Sequence, residues 1–408
     1  MGRRAFLKTG SGLAAAGALP RIAGAQKAGK IIFGGSVPMT GAAAETGLNV
    51  LRGYECAVKY VNEKMGGVDI GGRKYMLELS LFDDASDPSR AVTLIQRQVD
   101  DGIGFFLGSF GSNIVLPTCA ITERAGRIMV QAGGGSDLIF TQGRKRIFGL
   151  FPRATRQFVS SVNMFKELQP PVKTVSIIFT NDPFSRFQAE GAKKGITEAG
   201  MTVRDFIALP AQVTDVSNVL TTIRRNPPDV LVCTTHDDAS ILIARQMIQT
   251  NTDVAMLYQT LGPQTTAYKE ALGKYANGVV AQSYWSEQAP FRGEYFGTGK
   301  DFADYYRSNF DRSLTYHMAS GAACIIAYLQ AARNAGGLDL NAVRDALAAL
   351  DFQCFYGHIR FSPEGDGAAD LLGPLLIQRQ AGEMEVISPA EAASAKPIYP
   401  APSWSKRT

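Results

Sequence analysis

The sequence predicts an α/β protein of two lobes, each built on a mostly parallel sheet. Three observations predict it. At 408 residues the chain is too long for one ordinary core, so two domains are expected. Short apolar runs alternate with amphipathic stretches, the pattern of βαβ units. That series starts afresh after Phe151-Pro152, so the second half is expected to repeat the architecture of the first.

Residues 30–37 form the first predicted strand. A helix follows over 45–64, with Leu48, Leu51, Val58 and Val61 at helical spacing, and Gly66-Gly67 ends it. Residues 75–83 alternate Leu77, Leu79 and Leu81 as a strand does, and Asp87-Pro88 starts a helix with a capping residue and proline at its first position. Residues 105–107 and 128–130 supply two short buried strands. In the second series the strands are 174–180, 203–209, 229–235 and 254–260, separated by helical patterns. Residues 278–285 form another strand, and helices follow at 302–310 and 318–335. Residues 351–361 are extended and end in the turn Ser362-Pro363-Glu364-Gly365-Asp366-Gly367. Pro397, Pro400 and Pro402 mark the last residues as a loosely held tail.

Composition narrows the function. Hydrophobic residues make up 45% and charged ones 19%, ordinary for a globular chain. The formal charge of +5 rests largely on residues 1–25, which carry Arg3, Arg4, Lys8 and Arg21 and no acid. The 42 basic residues less those four leave 38 against 37 acidic ones, a net charge of +1. That balance gives no electrostatic reason to bind nucleic acid. The leading segment itself reads as an address: Arg3-Arg4-Ala5-Phe6-Leu7-Lys8 matches a twin-arginine export signal, a short weakly apolar run follows, and Ala23-Gly24-Ala25 offers a cleavage site. A periplasmic protein is therefore expected. Cys56, Cys119, Cys233, Cys324 and Cys354 are scattered, form no CxxC pair, and read as small buried apolar residues.

Catalytic signatures are missing. The chain has no GxSxG, GxxxxGK[ST], GxGxxG or HExxH. His236, His317 and His358 are too scattered to suggest a metal site, and no cofactor is expected. The adjacent acids Asp83-Asp84 and Asp237-Asp238 read as turn and cap residues rather than an acid/base pair. What stands out is Gly108-Ser109-Phe110-Gly111-Ser112-Asn113 after one strand and Ala132-Gly133-Gly134-Gly135-Ser136-Asp137 after the next. Hydroxyls and glycine backbone at a helix start suit an anionic oxygen, and open α/β sheets bind ligands at these strand ends. The alternative is that Ser112 and Ser136 are only helix caps, and the two roles are compatible.

These residues carry a resemblance to the leucine/isoleucine/valine-binding family of periplasmic proteins, which serve ABC importers. It runs from about Ile31 to Pro374. Besides the two glycine loops it rests on Pro38-Met39-Thr40-Gly41, Asp83-Asp84-Ala85-Ser86-Asp87-Pro88, Asn181-Asp182-Pro183-Phe184 and the closing strand from Gly357 to Phe361. The resemblance implies a type I periplasmic binding fold: two Rossmann-like lobes joined by three crossover hinges, near Phe151-Pro152, Ser283-Tyr284 and Tyr356-Gly357. Residues 26–151 with 285–356 would form one lobe, 152–284 with 357–390 the other, and 391–408 the tail. It also implies a non-enzymatic substrate-binding protein that captures a small carboxylate-bearing solute and delivers it to inner-membrane permease subunits. The same fold could instead serve a periplasmic sensor subunit, or an envelope enzyme with a site none of those motifs describes.

By the same resemblance Ser112, Gly133, Gly135 and Ser136 would hold the carboxylate, Phe184 would cover the ligand, and Thr46 would lie at the mouth. His236 and Asp237 follow a strand of the second lobe facing it. Two departures matter. Ser86 and Gly111 stand where the branched-chain binders place a disulfide. Thr260 stands where they place an acid for the ligand's ammonium, so either Asp237 or Asp238 takes over that pairing or the ligand has none, as in an amide, a urea-like compound, or an aliphatic or aromatic acid. His236, Tyr258, Tyr284 and Trp285 would suit a flat ring.

Overall fold

The structure, a computed structural model, describes residues 28–310, 314–368 and 374–407. The export signal therefore lies outside the described residues. Six strands form the first sheet: β1 (Gly29–Val37), β2 (Val68–Ile70), β3 (Arg73–Asp83), β4 (Phe105–Leu107), β5 (Ile128–Gln131) and β6 (Ile147–Gly149), in the order β2-β3-β1-β4-β5-β6. Helices α1 (Ala44–Lys59), α2 (Pro88–Asp100), α3 (Ser112–Arg124) and the single turn α4 (Asp137–Phe140) alternate with them. All pairs are parallel except the hairpin of β2 on β3. The central strands are apolar on both faces because helices cover both.

The second sheet repeats the scheme. Helix α5 (Val159–Glu167) precedes β7 (Thr174–Thr180), α6 (Pro183–Glu198), β8 (Thr202–Leu209), α7 (Ser217–Arg225), β9 (Val230–Thr234), α8 (Asp237–Gln249), β10 (Met256–Gln259), α9 (Thr266–Leu272) and β11 (Val280–Ser283). The chain then returns to the first lobe as α10 (Gly299–Asn309), α11 (Tyr316–Ala335), α12 (Leu340–Ala348) and the hairpin of β12 (Asp351–Cys354) with β13 (Gly357–Arg360). Finally β14 (Leu375–Gln380) and β15 (Glu383–Ser388) add antiparallel strands to the second sheet, giving β15-β14-β11-β10-β9-β7-β8.

Several expected elements are met within a residue or two. Asp87 caps α2 as the sequence suggests, accepting from Ser89 N and Arg90 N. Three expectations change. The helix expected over 45–64 is α1 followed by a π-helical turn at Tyr60–Lys64. Tyr356-Gly357 lies where the turn of the β12–β13 hairpin enters β13 rather than at a crossover, and the chain passes to the second sheet beyond Phe361. The tail is not loosely held. Trp404 is buried and donates its indole N–H to Thr252 O, while Arg407, also buried, donates to Tyr275 O and Asn277 O. The prolines set its path, but one aromatic and one guanidinium anchor it.

Helix α11 is apolar almost all round because it is buried inside the first lobe. It lies unusually close to α1 through two glycines. A Cβ on Gly53 would sit 2.2 Å from Met318 O, and one on Gly321 would sit 2.6 Å from Val50 O. From this seat Tyr328 donates to Phe106 O and Ile128 O, and Tyr54 of α1 donates to Gly108 O. The two buried helices thus fix β4, β5 and the loop that leaves β4. All five cysteines are buried and free.

Candidate functional site

The loops at the carboxyl ends of β4, β5, β7, β9 and β10 face one another across the cleft, and the start of α11 closes one side. Between them lies a small cavity. Ser112, Gly133, Gly135, Phe184 and His236, expected from the sequence, all line it.

Ser112 opens α3, and its Oγ accepts from Gly135 N at 3.1 Å and Ser136 N at 3.0 Å. With the oxygen occupied as an acceptor, its own proton has no acceptor among the described residues and remains to be donated into the cavity. The α3 dipole reinforces that donor toward an anion. The glycine loop is arranged differently from expectation. Gly133 N and Gly134 N donate to Gln131 Oε1 at 2.8 and 2.6 Å, so their N–H groups brace the loop instead of opening toward a ligand. Gly135 permits the close approach of the lobes: a Cβ there would come within 2.8 Å of the Phe184 ring.

The remaining expected residues stand around the cavity. Thr46 Oγ1 donates to Asp237 Oδ2 at 2.6 Å, from one lobe to the other. Asp237 Oδ1 and the hydroxyl of Ser136 are buried with no hydrogen-bond partner among the described residues. Thr260 is buried, with its hydroxyl 3.5 Å from Cys233 O, and the next residue, Leu261, lines the cavity in its stead. Of the four aromatic residues suggested, His236 and Tyr284 line the cavity. Tyr258 is in the second lobe's core, bonded to Ser161, and Trp285 packs on Phe302.

Sequence reasoning missed half of the wall. Phe110, Phe151, Tyr316 and His317 complete a chain of rings around the space. Successive centroids from Phe184 through His236, Phe110 and His317 to Tyr316 are 5.8, 6.4, 5.5 and 3.9 Å apart. Tyr284 stands 5.5 Å from Tyr316 and 4.2 Å from Phe151. A signal existed for two of them, because Tyr316-His317 begins a long helix and helix starts gather at strand-end clefts. The polar floor is neutral: Gln188 donates to Gln157 and Gln282, and Gln282 donates to the Gln157 carbonyl.

Charge is placed asymmetrically. Among the described residues no carboxylate lines the cavity. His236 Nε2 lies 3.3 Å from Asp182 Oδ1. Burial alone would lower the His236 pKa, but the Asp182 hydrogen bond and charge, helped by Asp237 and Asp238, raise it above the ordinary imidazole value. Burial opposes ionisation of Asp182 too, yet His236, Ser185 N and Thr180 hold it well below the usual carboxylate range. Burial pushes His317 the other way, down to about 3, so it is neutral. The cavity thus offers one imidazole whose protonated form Asp182 favours, one hydroxyl donor and a neutral aromatic wall.

A family model described as periplasmic binding protein matches residues 30–372. The chain belongs to that family. It is therefore a solute-binding protein of the periplasm and not an enzyme, as the residues first suggested. Among curated relatives, the leucine-, isoleucine-, valine-, threonine- and alanine-binding protein of Pseudomonas aeruginosa is 26% identical over 334 residues, covering 81% of this chain and 85% of its own. Leu/Ile/Val-binding protein homolog 8 of Brucella melitensis is 24% identical and covers 89% and 92%. Two solved structures share the fold. The leucine-binding protein of Thermotoga maritima superposes with a TM-score of 0.75 at 20% identity, covering 88% of this chain and 98% of that one. The solute-binding protein from R. palustris in complex with benzoate gives 0.73 at 16% identity, covering 91% and 99%.

Proposed function

We propose that this binding protein captures a small carboxylate-bearing solute between its lobes and delivers it to the permease of an ABC importer of the branched-chain amino acid type. The observation that carries the reading is the Ser112 hydroxyl, whose proton is left for a ligand at the start of α3. The carboxylate docks there, and His236 of the opposite lobe adds charge as Phe184 covers the ligand. Closure excludes water and so strengthens each polar contact. The P. aeruginosa relative's amino acids and the R. palustris neighbour's benzoate both carry a carboxylate, which supports the class without choosing within it. Gly135 and Ser136 act by holding Ser112 in place and Gly133 by bracing the loop, while Thr46 and Asp237 act at the rim and Thr260 behind Leu261. Residues 26–151 with 285 to the β12–β13 hairpin form one lobe in this reading, and most of the remainder forms the other. Residues 1–25 direct twin-arginine export.

A thermal-shift screen of the mature chain against amino acids, amides, and aliphatic and aromatic acids tests the class. Every stabilising compound should need its free carboxylate. Ser112→Ala should weaken binding by ~1–3 kcal/mol through loss of a charge-assisted hydrogen bond. Stabilisation by methyl esters as strong as by the acids would overturn the reading. Replacing Arg3 and Arg4 by lysine should leave the protein in the cytoplasm, and normal export of that variant would remove the twin-arginine assignment.

A further inference from the structure

His317 sits at the second position of α11, 2% exposed, with its ring stacked 3.9 Å from Tyr316 and the edge of Phe110 5.5 Å away. Its Nδ1 is buried with no hydrogen-bond partner among the described residues. The hydroxyl of Tyr284 is in the same condition. Both side chains line the cavity that Ser112 and His236 line. An unmet polar atom in an apolar enclosure is costly, and two in one enclosure indicate a group that arrives with the ligand.

The chemistry of that group follows from charge. His317 is neutral, since burial drives its pKa down, and burial likewise keeps the Tyr284 phenol protonated. Neither can balance a second anion. A neutral imidazole and a phenol each donate and accept, and a hydroxyl does both as well. An ammonium, by contrast, finds no carboxylate among the described residues of the lining. Asp182 is engaged with His236 and Thr180, while Asp237 takes the Thr46 hydroxyl on one oxygen and its other, unpartnered oxygen belongs to a side chain outside the cavity lining. The chain of rings from Phe184 to Phe151 presents flat faces and edges suited to another ring.

We propose that the ligand is an aromatic monocarboxylate without an ammonium, bearing a ring hydroxyl that His317 and Tyr284 bind. The inference rests on the carboxylate reading above and narrows it.

Isothermal titration of the mature chain, stripped of carried-over ligand, tests both levels. The probes are benzoate, the three hydroxybenzoate isomers, L-leucine and glycine betaine. At least one hydroxybenzoate should bind tenfold or more tightly than benzoate, and tighter than either ammonium compound. That ratio should fall toward one in Tyr284→Phe and in His317→Phe, which keep a ring in place. A ratio near one in the parent protein, or a ratio unchanged in both variants, overturns the hydroxyl assignment. Leucine or betaine binding more tightly than every aromatic acid overturns the aromatic, ammonium-free assignment while the carboxylate reading stands. Should no carboxylate bind, in this set or in the wider screen, both readings fall together.

Discussion

The hydroxyl of Thr46 and the carboxylate of Asp237 meet at 2.6 Å across the cleft, one residue from each lobe. Beside them Ala267 N lies 3.4 Å from Glu45 Oε1, a second and longer tie between α1 and the second lobe. These contacts exist only when the lobes are together, so they set how far the equilibrium lies toward the closed form. Removing either partner of the shorter bond should weaken ligand binding by about 1–2 kcal/mol. Thr46→Val, Asp237→Ala and the double variant form a cycle. The double variant should lose less than the sum of the single losses. Strictly additive losses would mean the pair does not act as a latch.

Binding of an anion should depend on pH through His236. Its pKa is raised in the folded protein, so the imidazolium persists below that raised value and is lost as pH climbs through it. Carboxylate ligands stay ionised throughout this range. Affinity should therefore be higher at pH 6 than at pH 9, and His236→Gln should flatten the profile. The His236–Asp182 pair also supports the fold. The His236 contribution is complete below its ordinary value and fades as pH rises through the raised one. The Asp182 contribution is complete above the ordinary carboxylate value and fades as pH falls through its depressed one. Both are therefore fully present from about pH 4 to about pH 6.5. A parent protein whose affinity is level from pH 6 to pH 9 would remove His236 from anion recognition.

Gly135 gives a way to separate closure from folding. Its missing Cβ makes room for the Phe184 ring of the other lobe. Gly135→Ala should hold the lobes apart and cut affinity at least tenfold, with little change in melting temperature without ligand. Scattering with saturating ligand should show a larger radius of gyration than the parent. Full affinity in this variant would show that the lobes tolerate the methyl group and need not approach so closely.

The glycines between α1 and α11 should behave oppositely. Gly53→Ala or Gly321→Ala drives a methyl group into backbone on the facing helix, and overpacking of this kind costs about 1–3 kcal/mol. Thermal denaturation should show lower stability for each, while the affinity of the protein that remains folded stays near the parent value. An unchanged melting temperature would mean that the helices separate freely.

Much of the fold was legible because parallel strands in covered sheets are continuous apolar runs, and 174–180 is read to the residue as β7. The antiparallel additions were not. β2 has three residues, too few for a period. β14 and β15 flank Ala381-Gly382, and only Glu383 to Val386 alternates there, too short a run to mark a hairpin. Within the site, Ser112 and Gly135 could be found because glycine and serine gathered at strand ends suit few roles besides capping and ligand contact. His317 could not, since one histidine at a helix start looks like any other until the fold encloses it. Thr260 shows the reverse. Its position after a strand pointed to the cleft, yet the backbone turns its hydroxyl toward Cys233 and presents Leu261.

The five cysteines have a practical consequence. Every thiol is enclosed, and burial moves each one's ionisation far above neutral pH, so none supplies the thiolate that alkylating dyes attack. A single cysteine introduced on an exposed rim residue would then be the one site that takes up a maleimide fluorophore, with the native five left in place. Domain movement could be followed by emission in real time on the otherwise unaltered molecule.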